Sequence, residues 1–232
     1  MNTGVISDIR FIFKKSIKQF YDKFLYLLMV NLFLIGIIFF IVTFGTASFY
    51  NSNYLLTVIL YFLLMFFIIF GEVVIKQYIS FRYIRIKEAF NFVKNNVKKL
   101  FLIFLFQLLA YSLFIVDIAY FFDQALMTSN LIFRYIFFLL AFISVYLLMI
   151  LTMINFHLWG LLIYQRQKSA LVLVKRAAIL TFDNLIFSFI MVFLTIILVA
   201  AAVFTGFGLI VLIPTLLYII IFNSIELILA KY

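Results

Sequence analysis

Long runs of apolar residues alternate along this chain with short segments in which lysines and arginines punctuate a helical apolar pattern. A helix that crosses the hydrocarbon core needs about 20 apolar residues. Six stretches meet that need: Phe24 to Phe44, Tyr54 to Gly71, Leu100 to Phe122, Tyr135 to His157, Leu185 to Thr205, and Phe207 to Leu229. Glu72 and Lys76 close the second stretch. Only Gly206 and Gly208 interrupt the run from Leu185 to Leu229, and one helix of that length would overshoot the bilayer, so a turn is expected there. The first run begins after five basic residues and lacks a small-residue cleavage site, so it reads as a span rather than a removed leader.

The segments between the runs have a different pattern. Ile6, Ile9, Phe13, Ile17, Phe20 and Phe24 recur at helical spacing, with Arg10, Lys14 and Lys18 forming a separate stripe. In the second such segment Ile86, Ala89, Phe90, Val93 and Val97 oppose Lys87, Lys94 and Lys98. Helices of this kind lie along the headgroups, basic residues toward anionic lipid. They either anchor the bundle or offer a docking surface to a cytoplasmic partner.

These segments also resemble one another at a period of about 80 residues, the signature of an internal repeat. Phe13-Lys14-Lys15 lines up with Val174-Lys175-Arg176, and the same offset pairs Asp22 with Asp183 and Phe24 with Leu185. Glu88 to Lys94 matches Ser169 to Lys175, and a gap of about one helical turn then brings Leu100 onto Leu185. The fold class expected is all-α: a polytopic membrane helix bundle of six transmembrane helices, arranged as three hairpins, each preceded by a basic amphipathic interfacial helix. Residues 1–232 form a single membrane domain, with repeats over 5–75, 82–157 and 168–229.

Composition agrees with this reading. Apolar residues make up 69% of the chain and charged residues 11%, against roughly 45–50% and about 25% in soluble domains. The net charge of +10 could suggest nucleic acid. Its placement argues instead for a membrane surface, because of the 18 lysines and arginines only Arg134 falls on the far side of the spans. That asymmetry places the N-terminus, both long loops and the C-terminus in the cytoplasm, and makes anionic headgroups, not nucleic acid, the expected partner. Heavy use of Phe, Ile, Asn and Lys suggests an AT-rich bacterial genome, hence the plasma membrane of a bacterium. There are no cysteines, which leaves no thiol chemistry.

Polar groups within the spans are the candidates for function. Asp117 lies inside the third span and Arg134 begins the fourth, so an ion pair of Arg134 with Asp117 or Asp123 is expected; a coupling role for Asp117 is the alternative. Glu72 with Lys76, and Glu226 near Lys231, read as boundary pairs. His157, two residues before Trp159, reads as a hydrogen-bonded interfacial residue. Asn31 and Gln107 occupy equivalent repeat positions, each about 12 Å below the cytoplasmic boundary, and Val192 stands at that position in the fifth span. Asn155 and Asn223 reach comparable depth from the even-numbered spans. These four amides suggest one polar layer, either structural glue or a small cavity open to the cytoplasm. No phosphate loop, zinc motif or nucleophile elbow is present, so no catalytic residues, metal ligands or cofactor are expected.

Asn31-Leu32 in the first span, Val42-Thr43-Phe44-Gly45-Thr46-Ala47 at its outer end, and the run Phe90 to Lys99 resemble the YesL-like family of bacterial membrane proteins. The sequence departs from the family pattern at Leu34, where a tryptophan would stand, and at Phe40 and Thr46, where prolines would. The resemblance implies a member of a functionally uncharacterised family often encoded near carbohydrate uptake systems and carries over no active-site residues. Two function classes follow: a non-enzymatic accessory or scaffold protein of a membrane system with a protein partner, or a small transporter using the amide layer. The single proline, Pro214, favours the first, since transporters commonly break helices at their sites.

Overall fold

The computed structural model describes residues 3–81, 86–165, 168–205 and 207–230. Arg82, Arg85, Arg166 and Lys231 of the basic set, and Gly206 of the expected outer turn, lie outside them. The described residues form helices and no strands: α1 (Thr3–Asp22), α2 (Phe24–Tyr50), α3 (Tyr54–Phe81), α4 (Ile86–Asn95), α5 (Val97–Met127), α6 (Leu131–Tyr164), α7 (Ala170–Asp183), α8 (Leu185–Thr205) and α9 (Phe207–Leu229). Each shorter helix, α1, α4 and α7, precedes two longer ones. The long helices pair as α2 with α3, α5 with α6, and α8 with α9, while α1 docks on α9 and joins the two ends of the chain.

The long helices outrun the stretches read from hydropathy. With 34 residues α6 is about 51 Å long, well beyond a hydrocarbon core of about 30 Å. Four segments, Leu27–Tyr50, Tyr54–Gln77, Val97–Met127 and Leu131–Tyr164, are long and apolar enough to cross a membrane. A fifth is added if α7 and α8, which meet at 100°, are counted as one broken span. Thr215–Leu229 of α9 is apolar but shorter.

A single residue separates each short helix from the long one after it. Lys23 (φ −125°, ψ 18°), Asn96 (φ −107°, ψ 9°) and Asn184 (φ −123°, ψ 42°) share one backbone conformation. The N–H of each closes the helix before it, on Phe20, Phe92 and Leu180, and its carbonyl opens the helix after it, accepting from Leu27, Leu100 and Ser188. Both asparagines add a side-chain bond: Asn96 Nδ2 donates to the Phe92 carbonyl (2.7 Å) and Asn184 Nδ2 to that of Leu180 (3.2 Å). A bend exposes such carbonyls, and the amide covers them. Counted from these breaks, Asn31 corresponds to Phe104 and Val192, and Gln107 to Thr195. The sequence register, which equated Asn31 with Gln107, is thus displaced by about one helical turn. The far connections are equally alike. Asn53 and Asn130 each end a short turn and accept backbone N–H groups of the next helix, on Leu56 (3.3 Å) and on Ile132 (3.0 Å).

Burial is concentrated at the end that carries the short helices. Ile12, Leu27, Ile75, Leu100, Leu158, Leu173, Met191 and Ile219 are all sealed in one core, whereas the far halves of α2, α5 and α6 leave Phe39, Phe44, Val116, Phe142 and Tyr146 exposed. In water such a surface would drive aggregation; in hydrocarbon it is the ordinary outside of a membrane protein. The inward faces of the short helices differ from the expected ones. Ile12 and Ser16 form the buried line of α1 while Ile6 and Ile17 are exposed, and α4 buries Phe92 instead of Phe90. A helix packed against a protein core on one side and facing its surroundings on the other has two apolar faces, and periodicity does not say which is inward.

Candidate functional site

Polar side chains on α5 and α6 meet across a cavity of about 500 Å³ that α8 closes on its third side. The stripe Phe104, Gln107, Leu108, Tyr111, Ser112 and Ile115 supplies one wall, Thr152, Asn155, Phe156 and Trp159 the second, and Val192, Thr195 and Ile196 the third. Each wall repeats at three or four residues, so each is one face of a helix. A directed chain of hydrogen bonds runs across it. Gln107 Nε2 donates to Asn155 Oδ1 (3.1 Å), and Asn155 Nδ2 donates to the Tyr111 hydroxyl (2.7 Å). Tyr111 in turn donates to Thr152 Oγ1 (3.4 Å), which donates to the Leu148 carbonyl (2.9 Å). No Asp, Glu, Lys, Arg or His lines the cavity.

The four amides do not form one layer. Gln107 and Asn155 meet at this cavity. Asn223 on α9 faces α1, where Nδ2 donates to Ser16 Oγ (2.8 Å) and Gln19 Oε1 (2.9 Å). Asn31 is fully buried on α2 and does not line this cavity. Similar depth along a helix does not bring side chains together when they stand on different faces of different helices.

The expected ion pairs are also rearranged. Arg134 forms none with Asp117 or Asp123 among the described residues; its Nη2 donates to the Thr128 carbonyl (3.0 Å), bracing the turn between α5 and α6. Asp117 stands about 15 Å back from the end of α5, too deep for a residue in the first turn of α6, and Asp123 is exposed. Asp117 does not line the cavity either. Glu226 pairs with Lys15 of α1 at 3.0 Å, a partner the local sequence does not suggest, while Lys231 lies outside the described residues. Glu72 is buried at 3% exposure, its Oε2 without a hydrogen-bond partner among the described residues, so it sits within the packed core and forms no pair with Lys76. Lys76 lies over the Tyr164 ring, 3.3 Å from its centroid.

Comparison with protein-family models, curated proteins and solved structures finds no match.

His157 is wholly buried, with Nε2 2.8 Å from Ser188 Oγ. Ser188 donates its one proton to the Asn184 carbonyl (2.9 Å), so it accepts from the imidazole, which carries its proton on Nε2. The contact pins α6 to the start of α8 and leaves no activated hydroxyl. Sequence reasoning missed Tyr111, Thr152, Ser16 and Ser188. The first two stand at helical spacing from Gln107 and Asn155, a signal that could have found them; Ser16 and Ser188 carry no such mark.

Proposed function

We propose that this chain is a six-span protein of the bacterial plasma membrane, with the three short basic helices and both termini in the cytoplasm, acting by binding rather than by catalysis. The observation that carries this reading is the pairing of an exposed apolar surface over the far halves of α2, α5 and α6 with a cavity that holds no ionisable acid–base pair. At 21 and 23 residues, α8 and α9 are each about 32–35 Å long, enough for two further spans. Arg10, Lys14, Lys18, Lys87, Lys94 and Lys175 are exposed on the short helices, where anionic headgroups would meet them. The resemblance to the YesL-like family supports an accessory role beside a membrane uptake system, carbohydrate uptake in particular. Purification from native membranes in mild detergent tests this. An accessory protein retains a transport component in fixed stoichiometry through size exclusion, and loses it when Lys87, Lys94 and Lys98 are replaced by Gln.

A second reading, a small permease, is favoured by one observation: Gln107 and Asn155 line a cavity between three long apolar helices. It differs in its test. A permease reconstituted alone moves a solute across vesicles, whereas an accessory protein does not.

A further inference from the structure

The walls of the cavity between α5, α6 and α8 are mostly apolar, with a few polar groups. We propose that the cavity binds one uncharged lipid, a long aliphatic or prenyl chain ending in a hydroxyl or carbonyl group, which enters from the bilayer. The proposal rests on the membrane-spanning reading above.

The rim faces hydrocarbon: Leu108, Ile115 and Ile196 line the cavity and are at the same time exposed on the outside of the bundle. The polar capacity inside is small because most of it is spent. Thr195 donates to the Met191 carbonyl and Thr152 to that of Leu148, while Tyr111 is held between Asn155 and Thr152. What remains is the Oε1 of Gln107, one spare N–H on each amide, the Ser112 hydroxyl, and the indole N–H of Trp159, which has no hydrogen-bond partner among the described residues. A hydroxyl or carbonyl would be satisfied by these groups. A sugar would bury many hydroxyls against phenylalanine and isoleucine with too few partners. A phosphate or carboxylate would find no cation, and would sit about 12 Å below the basic boundary at Lys99, deep in hydrocarbon. The volume of about 500 Å³ suits the polar end and first part of a chain, with the remainder left among the lipids.

The chain has a single tryptophan, Trp159, and it lines the cavity, so its fluorescence reports occupancy. The full chain in phosphatidylcholine nanodiscs is titrated with dibrominated oleyl alcohol, and separately with dibrominated phosphatidylcholine at equal bromine content. Specific binding gives saturable quenching by the alcohol, about fivefold stronger than by the phospholipid, the gain of one net hydrogen bond. Gln107→Leu lowers the alcohol's apparent affinity by a similar factor, and Thr195→Phe, which fills the cavity, removes the saturable phase. Equal, non-saturating quenching by both probes on the parent chain overturns the proposal whatever the variants do. Stronger quenching by a brominated fatty acid at neutral pH overturns it in favour of a charged ligand. Absence of quenching by either probe takes Trp159 out of the bilayer and overturns the membrane-spanning reading itself.

Discussion

An amide in hydrocarbon must find its partners inside the protein, and Asn223 does so more completely than any ion pair here. Both N–H bonds of its Nδ2 are used across the α1–α9 contact, on Ser16, which is fully buried, and Gln19. The neighbouring Lys15–Glu226 pair is 32% and 57% exposed, and exposed pairs contribute about 0–1 kcal/mol. Asn223→Leu should therefore destabilise the detergent-solubilised protein by about 1–3 kcal/mol, because it orphans a buried hydroxyl. Glu226→Gln should shift the thermal midpoint several times less, and equal shifts would refute this ordering. Gly160 sets a second close contact, since a Cβ there would overlap Ile225 Cγ1 on α9. Gly160→Ala should cost about 1–3 kcal/mol, and it should cost less in an Ile225→Ala background, which has no Cγ1 to meet the added methyl. The sequence made the amides visible as candidates because a polar group in an apolar run stands out. Their partners were not visible: Ser16 and Gln19 are about 200 residues from Asn223, and only the α1–α9 docking joins them.

At the scale of elements, the long helices were legible because hydrophobic length is a direct reading of what a bilayer requires. The short amphipathic helices were legible as helices, but their inward faces were not, as Phe92 and Phe90 show. The single-residue breaks leave only a faint trace. An asparagine within four residues of the start of an apolar run, at Asn96 and Asn184, is the residue type that can turn its side chain onto a carbonyl freed by a bend. Lys23 has no such chemistry and takes the same backbone conformation. The bends are thus set by the packing of the short helices on the core, through Ile12, Ala89 and Val93, and Leu173 and Ala177, while the asparagine side chains stabilise what the packing imposes. Asn184→Leu should accordingly keep the bend and lose about 1 kcal/mol of stability. Distances between spin labels on exposed Lys175 and Phe193 should stay within the parent's distribution. A lengthening toward a straight helix would mean that the asparagine itself makes the bend.

Across the whole molecule, the number of times the chain crosses the bilayer turns on α8 and α9. Length and apolarity alone give four helices, or five with the bent pair α7 and α8. The six-span reading differs only in what it does with α8 and α9. If they form a third hairpin, the residues at their junction lie on the side opposite the short basic helices, as the two Asn-capped turns do. If α7 and α8 form one broken span instead, the end of α8 and the turn between α5 and α6 need not share a side. Phe204 decides between them: it is 89% exposed near the end of α8, within a chain that has no cysteines. Single Phe204→Cys, Ser129→Cys and Asn91→Cys variants report the outer end of α8, the α5–α6 turn and the exposed face of α4. A membrane-impermeant maleimide applied to intact spheroplasts should label the first two and spare the third until the cells are permeabilised. The physical ground is apolar length: moving the junction inward would strand no further charge but would leave Leu185 to Thr205 without a crossing. An apolar helix of that length re-entering from one side would need its backbone turn buried in protein, and Phe204 is exposed. Labelling of Phe204→Cys only after permeabilisation, with Ser129→Cys labelled from outside, would reduce the spans and set α8 and α9 as a re-entrant pair.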